Sequence, residues 1–247
     1  MTTHEGVVLI IGAGPNVGAS VAAKFSENGY RVALAARSLT DGLSADGNLH
    51  IKADLSQPSG VPSIFQKVKK AFGIPNVVVY NGAYRLTTPP DDPFAAPVED
   101  FHHTLKVGLD SAYIAAQESL RGFKELPAST SKAFIYTGNA LNQIAIPGTL
   151  PFGVSKVAGS LFIEHAALAY GEKGYRFYYV DERLPDGRPV GFPVSAGAHA
   201  DMFWTLANEP KQTPWLVTFT KEEGRKPFVG VDFDGNTRES RMRRLSQ

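Results

Sequence analysis

The sequence predicts an α/β fold, a doubly wound parallel sheet of seven strands with helices on both faces. Three observations lead there. Short β-branched apolar runs alternate with helix-length segments along the chain, the pattern of a parallel sheet wrapped by crossover helices. The first apolar run passes directly into a glycine-rich turn, Gly12-Ala13-Gly14-Pro15-Asn16-Val17-Gly18, and then into a helix. No Ser/Gly linker or internal repeat interrupts the 247 residues, so 1–247 is expected to be one domain.

Val7-Val8-Leu9-Ile10-Ile11 reads as a buried first strand, because a strand covered on both faces needs no polar alternation. Glycines in the following turn let the backbone approach a pyrophosphate, and the free N–H groups opening the helix at 19–25 stabilise it. Gly12, Gly14, Asn16, Val17 and Gly18 are therefore candidate cofactor ligands, with Asn16 the non-glycine type that best tolerates positive φ. A tight strand-to-helix connection with no ligand has the same composition. The second strand, 31–36, ends in Arg37-Ser38 instead of an acidic residue. A carboxylate there would bind a ribose 2′-OH and repel a 2′-phosphate, whereas a guanidinium pairs with the phosphate, so Arg37 and Ser38 point to NADP(H). A third strand, 50–53, stops at Asp54-Leu55, and a fourth, 77–80, stops at Asn81-Gly82-Ala83. Helical periodicity covers 101–120 and 153–170, with strands at 133–137, 175–180 and 215–220. Proline-rich 87–97 and 185–193 read as loops bordering a substrate cleft, 185–212 as a variable substrate region and 235–247 as a tail.

Composition narrows the function. A formal net charge of +1 offers no electrostatic case for nucleic acid, and Arg238, Arg241, Arg243 and Arg244 read as a solvated tail. The absence of cysteine excludes disulfides, thiol catalysis and cysteine metal sites. His102-His103 lacks a partner pattern for zinc, so no metal is expected. The first residues lack a basic segment, and the apolar run after them is too short for a signal or a membrane span, which gives a cytoplasmic expectation with no membrane partner.

The turn is close to T-G-x-x-x-G-x-G, with Ile11 for the threonine and Asn16 for the middle glycine, and Ser155-Lys156 is followed by the small residues Val157-Ala158-Gly159. Over roughly 6–219, order and spacing resemble the short-chain dehydrogenase/reductase superfamily, a Rossmann-type fold. The resemblance implies that Asp54, with Leu55, touches the adenine and that Asn81 and Gly82 line the cofactor cleft. It gives Lys156 the nicotinamide ribose hydroxyls, and it implies a homodimer or homotetramer paired through helices 101–120 and 153–170. The family's proton relay joins an Asn, a Ser and the Tyr and Lys of Y-x-x-x-K. At those positions this chain has Gly108, Asn139, Phe152 and Lys156, and Glu182-Arg183 replaces the family's Pro-Gly after the sixth strand.

Phe152 cannot give a proton, and losing a general acid costs ~10²–10⁴ in rate. Hydride transfer between positioned partners survives such a loss, because proximity alone is worth ~7–11 kcal/mol. Asn139 can act as an oxyanion-type stabiliser. Tyr80, Tyr84, Asp181, Glu182 and His199 are the substitutes considered for the proton, with Glu182 and Arg183 also candidates to pair with each other. An unpaired carboxylate beside the nicotinamide would favour the cationic oxidised form. Phe192, Met202, Phe203 and Trp204 suggest an aromatic lid over an apolar or aromatic small molecule. Three classes of function fit: an atypical NADP(H)-dependent reductase, a non-redox cyclase, isomerase or lyase on the same scaffold, and a catalytically silent cofactor-binding regulator.

Overall fold

A computed structural model describes residues 6–228 of the chain. In order the elements are β1 (Gly6–Ile11), α1 (Val17–Glu27), β2 (Tyr30–Ala36), β3 (Gly42–Leu43), β4 (Leu49–Lys52), α2 (Val61–Phe72), β5 (Val77–Tyr80), α3 (Val98–Leu105), α4 (Ser111–Glu125), β6 (Ala133–Thr137), α5 (Leu150–Tyr170), β7 (Arg176–Glu182), α6 (Ala196–Ala207), β8 (Leu216–Thr220) and β9 (Gly224–Arg225). The sheet runs β3-β4-β2-β1-β5-β6-β7-β8-β9. Its body is the expected set of parallel strands. The two-residue strands β3 and β9 add antiparallel edges to β4 and β8; edges this short offer little template for another chain.

Alternation along β1 divides the core. Val7, Leu9 and Ile11 face α2, α4 and α5, while Val8 and Ile10 face α1 and α6. α2 had no sequence-based expectation, yet Val61, Ile64, Phe65 and Val68 recur at helical spacing and are buried. α6 is not a lid. Met202 and Phe203 belong to the core beneath it, and Trp204 meets Phe25 of α1 and Tyr30 edge-on, with ring centroids 5.2 and 5.8 Å away. Of the four residues expected over a ligand, Phe192 alone reaches the cavity described below.

The helix expected at 101–120 spans α3 and α4, joined by a π-turn at Lys106–Asp110. A Cβ on Gly108 would lie 2.8 Å from Ser155 Oγ, so α5 packs against this turn only because no side chain intervenes. Ser155 itself donates to Phe152 O at 2.8 Å and is buried. Across β5, β6 and β7, Tyr80, Tyr136 and Tyr179 stack in register, with centroids 5.8 and 5.5 Å apart and planes within 12°. Their hydroxyls donate to carbonyl oxygens of Val107, Gly108 and Asn139. Burial pushes all three phenols above their ordinary range. This removes Tyr80 from the proton donors and keeps Tyr136 away from the site.

On the outer faces of α4 and α5, Tyr113, Leu161 and Leu168 are exposed. Among the described residues no helix is long and apolar enough to cross a membrane, and no group of three or more His, Cys, Asp or Glu could hold a metal. The arginines at 238, 241, 243 and 244 and the tail lie outside the described residues.

Candidate active site

Two hollows meet above the C-terminal ends of β1 and β5, where the strand order reverses and open α/β sheets bind ligands. The outer, of about 690 Å³, is lined by Gly12, Gly14, Arg37, Ser38, Asp54, Leu55, Asn81 and Gly82. The inner, of about 490 Å³, takes in Gly14, Asn16, Val17, Asn81, Asn139, Phe152, Lys156 and Glu182. Gly14, Asn81 and Ala83 border both. The sequence candidates thus come together, apart from Gly18. A Cβ there would lie 2.7 Å from Ala13 Cα, so Gly18 seats α1 against the turn and lines neither hollow.

The turn works differently from expectation in one other respect. Gly12 takes the left-handed conformation, φ +85°, and a Cβ on it would meet Gly82 N at 2.5 Å. Asn81 Nδ2 donates to Gly12 O at 2.9 Å, tying the ends of β1 and β5. Asn16 has φ −93°, so its tolerance of positive φ is not used. Its Nδ2 instead donates to Val194 O at 3.2 Å, linking the turn to the loop after β7.

At the outer end Arg37 is exposed and forms no ion pair among the described residues. Asp54 accepts from Ser56 N at 3.0 Å, and that bond, aided by Arg37 and His103, holds its carboxyl below the usual range. Tyr84 packs edge-on against His103 at 4.4 Å and lines this outer hollow, which takes it out of the proton donors for the inner one. The loop at 87–97 lines neither hollow. Arg85, just before it, borders the inner one and stands 4.7 Å from the Phe192 ring across the mouth.

The inner hollow is walled mostly by apolar groups, among them Leu141, Ile146, Phe152, Val190, Phe192 and Val194. Polar groups converge on its floor. Lys156 Nζ donates to Thr137 O at 2.8 Å and lies 4.6 Å from the Tyr136 ring and 5.4 Å from the Phe152 ring. Asn139 Oδ1 accepts from Leu141 N at 3.0 Å, capping a short turn. Two buried oxygens of the floor, Thr137 Oγ1 and Asp181 Oδ1, have no hydrogen-bond partner among the described residues.

β7 runs to Glu182, two residues beyond its expected end, so Asp181, Glu182 and Arg183 alternate in direction. Glu182 and Arg183 do not pair. Arg183, fully buried, donates from Nε to Asp181 Oδ2 at 2.5 Å, from Nη1 to Gly187 O at 2.9 Å and from Nη2 to Gln143 Oε1 at 2.8 Å. Glu182 Oε2 accepts from Ser195 N at 2.8 Å and lies 3.6 Å from His199 Nδ1. His199 lines the cavity from α6, with Nδ1 3.0 Å from Ser195 O. A carbonyl can only accept, so Nδ1 carries the proton. Burial lowers the His199 pKa.

Burial also raises Asp181 from 3.8 to about 6 against the pull of Arg183, and lowers Lys156 from 10.5 to about 7. Folded Asp181 therefore keeps a proton the unfolded chain has lost, and stability falls as pH rises through that interval. Lys156 is neutral in the fold while the unfolded lysine is still charged, so stability climbs again above about pH 7, by up to ~1.4 kcal/mol per pH unit. Urea midpoints are expected to pass through a minimum near pH 6–7 and rise on the alkaline side, with the alkaline rise absent in Lys156→Met. A wild-type midpoint that is flat or falling there would contradict the buried lysine.

A family model described as enoyl-(acyl carrier protein) reductase matches residues 12–183. The chain is 40% identical to the short chain dehydrogenase/reductase dmxR12 of Cryptosporiopsis sp. (strain 8999), over 90% of this chain and 94% of that protein. It is 22% identical to versicolorin reductase stcU of Emericella nidulans, over 88% of this chain and 77% of that protein. ElxO, solved with NADP bound, superposes with a TM-score of 0.73 at 18% identity, covering 87% of this chain and 97% of ElxO. A tyrosine-to-phenylalanine variant of ElxO with NADPH bound gives a TM-score of 0.72 at the same identity and coverage. The chain belongs to the short-chain dehydrogenase/reductase family.

Proposed function

We propose that the protein is an NADP(H)-dependent reductase of an apolar or aromatic carbonyl compound, working without the family's tyrosine and serine. The observation that carries this is the pair of joined hollows, one ending at Arg37, which has no ion pair among the described residues, and the other closing over Lys156 beneath apolar walls. The cradle fits a dinucleotide: Gly12 and Gly82 cross too closely for side chains, Gly14 would meet nothing, and the amides of Val17 and Gly18 open a helix toward the gap. In this reading Arg37 and Ser38 hold the 2′-phosphate, Asp54 and Leu55 flank the adenine, and Asn81, Gly82 and Lys156 hold the nicotinamide half. The bound cofactor supplies hydride. Phe152 and Asn139 stand where the family has Tyr and Ser; the phenyl ring adds apolar wall, and the Asn139 amide is placed to polarise a carbonyl oxygen.

Other proteins support the reading by analogy. The ElxO variant holds NADPH with phenylalanine in place of tyrosine, so the cofactor needs no phenol there, and versicolorin reductase is a relative named as a reductase. We take the protein to be cytoplasmic and to pair through the exposed Tyr113, Leu161 and Leu168 of α4 and α5.

Calorimetric titration with NADP⁺, NADPH, NAD⁺ and NADH tests the cofactor, and oxidation of NADPH with a panel of aromatic ketones and quinones tests the reaction. Binding of the phosphorylated pair with turnover is expected. Binding without turnover on any of the panel would favour the catalytically silent regulator, and no binding would leave a cofactor-free cyclase, isomerase or lyase.

A further inference from the structure

Among the described residues no tyrosine side chain lines the inner hollow, and the titratable groups that do are Arg85, Lys156, Asp181, Glu182 and His199. Four of these are poorly placed to give a proton to a bound carbonyl. An arginine stays charged at any working pH. Asp181 is wholly buried, with Oδ2 committed to Arg183. Glu182 Oε2 is committed to Ser195 N, and the His199 proton is committed to Ser195 O, which leaves the other ring nitrogen bare.

Lys156 differs. An ammonium has three donors, and Nζ gives one to Thr137 O. The Phe152 ring stands 5.4 Å from Nζ and carries no hydroxyl, and both residues line the hollow. The Asp181 carboxylate lines the same hollow; its attraction favours the ammonium, and its Oδ1 has no hydrogen-bond partner among the described residues. We propose that Lys156 is itself the catalytic acid of this enzyme, delivering its proton directly to the substrate oxygen, with Asp181 as a positioning residue that keeps the ammonium charged.

This rests on the reductase reading. The carbonyl carbon gains the hydride, the C=O π pair moves to oxygen, and that oxygen takes one proton from Nζ. The neutral amine regains a proton from solvent before the next cycle. A lysine brought to about pKa 7 is an effective acid at neutral pH. The groups around it are Tyr136 on β6, Tyr179, Asp181 and Glu182 on β7, Arg183 just beyond it and His199 on α6; the phenols stay neutral, so Asp181, itself paired with Arg183, is the charge that tunes it.

The test has two arms. Lysine-selective ¹³C NMR of the cofactor-free protein, with Lys156→Arg assigning the resonance, reads the titration without turnover; a midpoint near 7 is expected, and one near 10.5 would overturn the proposal. Reduction of 9,10-phenanthrenequinone by NADPH is then followed against pH. Wild type should lose activity on the alkaline side of about pH 7. Lys156→Arg, compared with wild type at saturating NADPH, should lose ~10²–10⁴ in kcat and lose that limb. Asp181→Asn should keep the limb and move it to lower pH. A Lys156→Arg enzyme with undiminished kcat, or an alkaline limb that vanishes in Asp181→Asn and persists in Lys156→Arg, would overturn the assignment. A wild type that binds no nicotinamide nucleotide would overturn the reductase reading and this step with it, whatever the NMR shows.

Discussion

Arg37→Asp is expected to weaken NADPH binding by about 10²–10³-fold while leaving NADH binding unchanged or improved. Hydrogen bonds to a charged group are worth ~1.5–3 kcal/mol, or about 10–10² in affinity. The new carboxylate adds repulsion of about 1 kcal/mol per unit charge at 4 Å in water. Arg37 is exposed and without an ion pair among the described residues, so its loss should leave the fold intact and appear in the titration alone. Asp54 shares the hollow, and a second carboxylate there further disfavours a dianion while offering acceptors to a ribose diol. Equal NADPH affinity in mutant and wild type would mean that the 2′-phosphate, or the cofactor, sits elsewhere.

Arg183→Met should cost about 3–5 kcal/mol of stability, the usual loss when one partner of a buried pair is removed. For a domain of this size that is roughly 2–4 °C of Tm per kcal/mol. The guanidinium joins Asp181 on β7 to Gly187 in the following loop and to half-buried Gln143 after β6, and the mutant leaves these three acceptors without it. Asp181 would then be pushed still further toward its protonated form, so the deficit should shrink in acid. Differential scanning calorimetry of the single mutant and of Arg183→Met/Asp181→Asn checks this, the double mutant recovering part of the loss. A single mutant within 1 kcal/mol of wild type would show that the network is dispensable.

Much of the scaffold was legible because buried parallel strands announce themselves. Val7 to Ile11 and Val77 to Tyr80 are uninterrupted apolar runs, and both lie wholly or almost wholly in the core. The gathering of the strand ends was legible for a related reason, since β1, β2, β4 and β5 carry Gly12, Arg37, Asp54 and Asn81 into one hollow. The charge pairing was misjudged through two residues of strand length. With β7 continued through Glu182, positions 181 and 183 fall on one side and 182 on the other, so Asp181 meets Arg183 while Glu182 turns to Ser195 at the start of α6. The fates of Met202, Phe203 and Trp204 depended on α1, and those of the Tyr80 and Tyr136 phenols on a π-turn separate in sequence; neither contact leaves a local trace.

The stacked tyrosines have a mechanical consequence. Three rings in register, each anchored by its hydroxyl to a backbone carbonyl, laminate β5, β6 and β7 beneath the inner hollow, so sliding any one strand must break several bonds together. Above the hollow, the two ends of the loop between β7 and α6 are tied by Arg183 to Gly187 and by Glu182 to Ser195, and its middle is pinned at single points, Arg85 over Phe192 and Asn16 to Val194. A container with a stiff floor and a roof pinned at isolated points yields at the roof, because segments with few contacts open at the lowest cost. The stretch around Phe192 and Val194 is thereby the part of the chamber wall expected to yield first, and the spacing of Lys156 from Phe152 is insulated from it.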